Sequence, residues 1–174
     1  MHIKNGSDRI VLVFPNQGFV IKIAKTKPFR ATLLFFEDIL HGRWNKLKMR
    51  FTHPMKQPWS IPGMLFGGLS ANWKEFLFYT STRGEYLQPT YFSFFGIFNV
   101  ARYSEPCGRE YDYWNKLSRI IGPGALSKDL HHFANPQNFC IINGKLKMLD
   151  YGSKDTQAIL KEYGNKISTE FTMD

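Results

Sequence analysis

Six short runs of apolar residues lie along the chain in three pairs, and a turn signal separates the members of each pair. The runs cover residues 9–14, 19–24, 90–95, 97–103, 139–142 and 146–149. They are rich in β-branched and aromatic residues, which favour strands. Asn143 and Gly144 join the third pair and form one of the strongest two-residue hairpin signals. The pattern therefore predicts three β-hairpins.

Apolar residues at helical spacing predict four helices between and after these hairpins. The predicted helices cover residues 29–40, 72–82, 110–121 and 158–163. Asn72 is expected to cap the second helix, with Glu75 in its first turn. Between Gln57 and Gly68 the density of proline and glycine predicts a loop.

The third hairpin brings together two side chains that suit a magnesium ion. Asn138 precedes its first strand, and Asp150 follows its second strand, directly before Tyr151 and Gly152. A tight hairpin places the outer ends of its two strands side by side. Mg²⁺ binds oxygen ligands and, when it also holds nucleotide phosphates, takes only one or two protein carboxylates. Asn138 and Asp150 are therefore predicted to hold a metal.

The order of the motifs resembles the protein-kinase-like superfamily, which includes protein kinases, aminoglycoside phosphotransferases and lipopolysaccharide-core sugar kinases. Asn138 and the segment Asp150 to Gly152 resemble its metal-binding Asn and its Asp-Phe-Gly motif. Val20 to Lys22 resembles the strand whose Lys grips the α- and β-phosphates of ATP. Glu75 resembles the helix Glu that pairs with this Lys, and residues 102–106 resemble the hinge that touches adenine.

This resemblance implies a compact α+β fold with two lobes. Residues 1–103 would form a small antiparallel sheet with one helix, interrupted by a basic insertion at 26–71. Residues 104–174 would form a truncated, partly helical second lobe. The implied cofactors are ATP and Mg²⁺, and the implied activity is phosphoryl transfer to a hydroxyl of a protein or a small molecule.

Two of the nucleotide-binding residues have rivals in the sequence. Lys22 is expected to hold the phosphates rather than Lys25, because the two side chains point to opposite faces of the strand. Glu75 is expected to orient Lys22 rather than Glu37, because the resemblance requires a strand pair directly after the helix.

The catalytic base has competing interpretations. Asp129 is preferred, because the run Asp129 to His131 is typical of the small-molecule kinases in the superfamily. In a second alignment Phe133 occupies the position of the base, and the base is lost. A third interpretation takes Asn135 as the metal ligand in place of Asn138.

Two departures from the kinase pattern favour an alternative function. The chain has no Gly-x-Gly-x-x-Gly loop, so Gly6 and Ser7 are the only residues expected to cover the phosphates. Only 22 residues follow Gly152, too few for an activation segment and a helical substrate lobe. The alternative is a catalytically dead kinase-like binding module that inhibits or scaffolds an acidic partner or a nucleic-acid-associated protein.

The charge of the chain bears on its partners. Its formal net charge is +9, and residues 41–56 contain five Lys and Arg side chains, no acid, and interleaved aromatics. Such a segment favours phosphates or acidic surfaces. Besides a nucleotide, an acidic protein or a nucleic acid is therefore a predicted partner.

Composition indicates a folded cytoplasmic protein. Of the 174 residues, 43% are hydrophobic, which is enough for the core of a single domain. Two cysteines are too few for a disulfide framework. We expect no secretory signal peptide and no membrane span, since no apolar run reaches the roughly 18 residues that a spanning helix needs.

Overall fold

The protein combines a five-stranded antiparallel sheet, a separate two-stranded hairpin and α-helices. This computed structural model describes residues 1–53, 59–108 and 113–171. The strands are β1 (His2–Asn5), β2 (Arg9–Phe14), β3 (Phe19–Ala24), β4 (Thr90–Phe94), β5 (Phe98–Arg102), β6 (Phe139–Ile142) and β7 (Lys145–Met148). The helices are α1 (Pro28–Leu40), α2 (Trp44–Thr52), α3 (Ile61–Thr82), α4 (Tyr113–Ile121), α5 (Pro123–Leu126), α6 (Leu130–Phe133) and α7 (Lys154–Glu170).

All three predicted hairpins are confirmed. The large sheet has the strand order β1-β2-β3-β5-β4, with every neighbouring pair antiparallel. The sequence did not predict β1, which adds an edge strand beside β2. The third hairpin, β6–β7, stands apart as its own two-stranded sheet.

Helix α3 is longer than predicted and begins much earlier. Ser60 caps it, because its Oγ accepts a hydrogen bond from the Gly63 amide at 3.0 Å. Proline in the first helical turn is tolerated, so Pro62 starts the helix rather than breaking it. The expected loop between Gln57 and Gly68 is therefore wrong from Ile61 onward.

Asn72 lies within α3 and does not cap it. The side chain is fully buried, and its Nδ2 donates to the carbonyls of Lys22 and Gly96, both at 3.0 Å. The Asn72 carbonyl accepts a bond from Asn99 at 2.8 Å. Asn72 therefore attaches the middle of α3 to strands β3 and β5, which is why a polar residue stands at a core position.

Other expectations for the helices are confirmed in part. Helix α1 matches the predicted 29–40, whereas the predicted 158–163 is the middle of the much longer α7. The beginning of the helix predicted at 110–121 lies outside the described residues, and α4 covers its remainder. The basic segment 41–56 contains helix α2, and its last residues also lie outside the described part of the chain.

The largest core surrounds the β6–β7 hairpin. Leu146 and Met148 of β7 are fully buried there with residues from α3, α4 and α7. A smaller core joins α1, α2 and α3 and includes Ala31, Leu47 and Met64. Within the described residues, no helix is long and apolar enough to cross a membrane.

The turn between β4 and β5 gives a test of how closely α3 packs against the sheet. Gly96 has a φ of +76°, and a Cβ there would overlap the Leu69 carbonyl of α3. Gly18 has a similar φ of +73°, but a Cβ there would meet nothing within 4 Å.

We expect Gly18→Ala to cost about 1–2 kcal/mol of unfolding free energy, from backbone conformation alone. Gly96→Ala should cost about 1–3 kcal/mol more, because the new methyl group overpacks the contact. Urea unfolding of both variants measures the difference. Equal losses would show that α3 does not press on this turn.

Candidate functional site

A buried ion pair joins the central strand of the sheet to helix α3. Lys22 of β3 is 7% exposed, and its Nζ lies 2.5 Å from Oε1 of the fully buried Glu75. The same Nζ donates to the Leu149 carbonyl at 2.7 Å, next to Asp150. The structure therefore brings together Lys22 and Glu75, which the sequence analysis had selected as a pair.

The two rival residues lie elsewhere. Lys25 donates to the Gly6 carbonyl at 2.5 Å in an exposed contact. Glu37 is on the surface of α1, with Oε1 3.2 Å from Nη2 of Arg43. Neither contributes to the buried pair.

Arg9 is a central residue of the site that the sequence analysis missed. Its Nη1 lies 2.6 Å from Oε2 of Glu75, and its Nη2 binds Oδ1 of Asp150. The register of the β2–β3 hairpin identifies Arg9 as a neighbour of Lys22. Val11 pairs with Lys22, and Arg9, two residues before Val11, projects from the same face of the sheet.

Lys22, Glu75, Arg9 and Asp150 form a chain of alternating charges, here called the charge cluster. The two positive charges of Lys22 and Arg9 equal the two negative charges of Glu75 and Asp150. Burial would raise the pKa of Asp150, but the charges of Arg9 and Lys22 outweigh this effect and hold that pKa below its ordinary value. Burial would lower the pKa of Arg9, and the two carboxylates instead raise it. Both groups therefore stay ionised at neutral pH.

Asp150 is held in place by the residues that follow it. The fully buried Tyr151 donates its hydroxyl to the Gln88 carbonyl at 2.6 Å. Gly152 lies so close to Ala71 of α3 that a Cβ would fall 2.8 Å from the Ala71 carbonyl oxygen. These contacts fix the backbone after Asp150, whose side chain remains one-third exposed.

The expected neighbours Asn138 and Asp150 lie at adjoining ends of the β6–β7 hairpin. The Leu149 amide donates to the Asn138 carbonyl at 2.7 Å. Asn138 Nδ2 donates to the His132 carbonyl at 3.0 Å. Asn135, the other ligand considered, is exposed, and its Oδ1 accepts a bond from the Gln137 amide within its own turn.

This pair of oxygen donors suits a metal that also binds phosphates. Within the described residues no group of three or more His, Cys, Asp or Glu side chains could hold a metal ion. Asn138 and Asp150 supply one amide and one carboxylate, which fits Mg²⁺ only when other ligands complete its shell. Arg9 already contacts the Asp150 carboxylate, so the metal and Arg9 would share or compete for it.

The Asp129 side chain is largely buried and is held by hydrogen bonds from His132 and Thr156. Its Oδ1 accepts a bond from His132 Nδ1 at 2.7 Å, its Oδ2 accepts one from the Thr156 hydroxyl, and its side chain is 9% exposed. The sequence analysis had assigned no role to His132. Phe133, the alternative occupant of the base position, is fully buried in the large core.

The charges of this pair are coupled. The hydrogen bond to Asp129 raises the pKa of His132, and the nearby charge of Asp150 also raises it. Burial would raise the pKa of Asp129, but hydrogen bonds from His132 and Thr156 lower it. Asn138 connects the two regions, because its side chain donates to the His132 carbonyl and its own carbonyl accepts the amide of Leu149, next to Asp150.

Gly6 and Ser7 form the exposed turn between β1 and β2. The Gly6 amide donates to the Arg9 carbonyl at 2.9 Å. This closes the turn directly before the arginine of the charge cluster.

Comparison with known proteins assigns the chain to no family. No protein-family model, curated protein or solved structure matches the chain.

The buried position of Glu75 gives a prediction about stability. Glu75→Gln removes the carboxylate that pairs with the buried Lys22 and one of the two carboxylates that pair with Arg9, and we expect it to cost about 3 kcal/mol or more. Glu37→Gln is the control, since this exposed acid should change stability by about 0.5 kcal/mol or less. Urea unfolding measures both. A small effect of Glu75→Gln would contradict the buried pairing.

The Asp129–His132 contact gives a prediction about pKa. Asp129→Asn removes the negative charge beside the imidazole, so the pKa of His132 should fall toward its ordinary value of about 6.5. An NMR titration of the imidazole measures this shift, with Glu85→Gln as the control. An unchanged pKa of His132 in Asp129→Asn would rule out the contact.

The same pair predicts how stability depends on pH. The raised pKa of His132 gives stability that is fully present below about pH 6.5 and is lost as pH rises through the folded value. The lowered pKa of Asp129 gives stability that is present above about pH 3.9 and is lost as pH falls through the folded value. The stability gap between wild type and Asp129→Asn should therefore be largest between these limits.

Proposed function

We propose that the chain binds ATP with Mg²⁺ at the charge cluster and transfers a phosphoryl group to a hydroxyl of a protein or small molecule. The contact of Lys22 with both Glu75 and the Leu149 carbonyl carries this proposal. This contact holds the Lys22 ammonium against the backbone directly before Asp150. A fixed cation beside a metal-binding carboxylate is the arrangement that polyphosphate binding requires.

Each member of the charge cluster has a proposed role. Lys22 would bind phosphate oxygens, and Glu75 would keep its ammonium in position. Arg9 would bind a phosphate when nucleotide displaces it from Asp150, because a guanidinium matches phosphate geometry. Asn138 and Asp150 would hold Mg²⁺, which neutralises charge on the transferred group when bound.

Proton removal from the acceptor is assigned to the Asp129–His132 pair. Asp129 accepts a hydrogen bond from the Nδ1–H group of His132 and so holds the neutral imidazole in the tautomer whose Nε2 can accept a proton. Asp129 would then act through His132, which differs from its expected role as the base itself. Because the imidazole must be neutral to accept a proton, transfer should rise with pH through the pKa of His132.

A second function, a kinase-like binding module without catalysis, is favoured by one observation. The Arg9 guanidinium pairs with Asp150, so a protein cation already balances the carboxylate proposed for Mg²⁺. In that case the basic segment 41–56 would contact an acidic protein or a nucleic acid, and the charge cluster would serve stability alone.

Thermal unfolding with and without ATP–Mg²⁺ tests the nucleotide site. A ligand present at about 100 times its Kd stabilises the folded state by about 2.7 kcal/mol. We expect a clear rise in Tm for wild type and little or none for Asp150→Asn, each compared with its own nucleotide-free Tm. Glu85→Gln, which changes a largely exposed carboxylate, should behave as wild type.

An equal rise in Tm for wild type and Asp150→Asn would contradict binding at Asp150. Phosphate release from ATP separates the two functions. If His132→Gln lowers turnover but its Tm still rises with ATP–Mg²⁺, the result supports transfer through His132. Nucleotide binding with no turnover in wild type supports the binding module.

A further inference from the structure

Helix α1 exposes a stripe of large apolar side chains that nothing in the described chain covers. Phe29, Leu33, Phe36 and Leu40 are 76%, 54%, 54% and 81% exposed. Their spacing of four, three and four residues places them on one side of the helix. The stripe is about 16 Å long, from the helical rise per residue.

The opposite side of α1 already supplies the protein core. Ala31 is buried against α2 and α3, with Leu34, Phe35 and Ile39 partly buried beside it. A surface helix normally has one apolar side and one polar side. Helix α1 has two apolar sides and buries only one of them, so the outer stripe is not needed to fold this chain.

Helix α2 follows the stripe along the chain and adds an exposed aromatic residue of the type found at membrane interfaces. Trp44 is 63% exposed and begins α2 just after the α1 stripe ends. Lys48 is one turn further along α2, on the same side as Trp44. The Phe35 ring, on the core side of α1, contacts the rings of Phe36 and Phe51 edge-on, so α1 and α2 pack together beside the stripe residue Phe36.

The charge around the stripe is positive. Between Pro28 and Thr52 the chain has five Lys and Arg residues and two acids. One acid, Asp38, is buried against Arg50 at 2.6 Å, and the other, Glu37, pairs with Arg43. The excess of three positive charges complements an anionic surface.

From this combination we propose that the outer surface of α1 and the start of α2 bind the surface of an anionic phospholipid membrane. The apolar stripe would enter the boundary between headgroups and acyl chains, and Arg30 and Lys48 would contact anionic headgroups. The stripe is a narrow row of exposed apolar side chains with cations beside it, which is the pattern of helices that lie in a membrane interface. Nucleic acid would leave the leucines exposed to water. This proposal does not depend on the proposed enzymatic function.

Vesicle sedimentation of the full chain tests it. We expect binding to vesicles of phosphatidylcholine with phosphatidylserine, and much weaker binding to phosphatidylcholine alone. Leu33→Ser with Phe36→Ser should weaken binding roughly tenfold or more, because two apolar side chains no longer enter the membrane. Arg30→Gln and Lys48→Gln should each weaken it roughly fivefold.

The matched control is Phe92→Ser with Phe94→Ser, which removes two aromatic side chains of β4 that are 48% and 45% exposed. This variant should bind vesicles as wild type does. Trp44 fluorescence should shift to shorter wavelength on anionic vesicles, and Trp44→Phe should remove that change. Phe36, Phe92 and Phe94 each also pack against a neighbouring ring. We therefore expect some loss of Tm in both double variants, and each should remain folded at the temperature of the vesicle assay.

Several results would overturn the proposal. The first is that the wild-type chain does not bind anionic vesicles. The second is that Leu33→Ser with Phe36→Ser binds them as well as wild type does. The third is that the β4 control loses as much binding as the α1 variant. A wild-type dimer that this α1 variant converts to a monomer would show that a second copy covers the stripe. Binding to polyglutamate but not to anionic vesicles would indicate an acidic protein partner instead.

Discussion

The position of Glu75 determines how the parts of this molecule fit together. Its fully buried carboxylate accepts bonds from Lys22 of β3 and Arg9 of β2, and Arg9 continues to Asp150 at the end of the β6–β7 hairpin. One carboxylate thus connects strands β2 and β3 to helix α3 and, through Arg9, to the β6–β7 hairpin. Two cations at such a depth are stable only with this compensation, so the sheet, helix and hairpin are constrained to one arrangement.

The contacts around the charge cluster keep that arrangement rigid. Asn72 attaches α3 to the sheet three residues before Glu75, and Gly152 brings the chain after Asp150 against the same helix. Helix α3 therefore positions both Lys22 and Asp150, the cation and the carboxylate proposed to bind nucleotide and its metal. A site whose charged groups are fixed before the ligand arrives loses less free energy to reorganisation. The α1 surface lies on a different helix and could serve a separate role.

Local signals made part of this structure predictable. The hairpins follow from turn residues and apolar runs, and the choice of Lys22 over Lys25 follows from strand alternation. The start of α3 was missed because proline and glycine there suggested a loop, whereas Pro62 lies in the first helical turn and Gly68 packs closely against Asp8 and Lys25. Arg9 was missed although the hairpin register places it on the face of Lys22, because its partners Glu75 and Asp150 lie 66 and 141 residues along the chain. His132 was missed because Asp129, three residues earlier, was itself taken as the base. The kinase-like fold and the roles of the site residues remain predictions.

Calorimetric titration of ATP–Mg²⁺ into wild type, Lys22→Met and Lys25→Met tests the central claim most directly, namely that the charge cluster is a nucleotide site. Lys22 lies in the cluster and Lys25 lies outside it, on neighbouring positions of the same chain segment. The account predicts saturable binding to wild type and Lys25→Met, and a loss of roughly tenfold or more in Lys22→Met, from the removed charged hydrogen bond. Equal affinity of all three proteins, or no binding to a folded wild type, would contradict it.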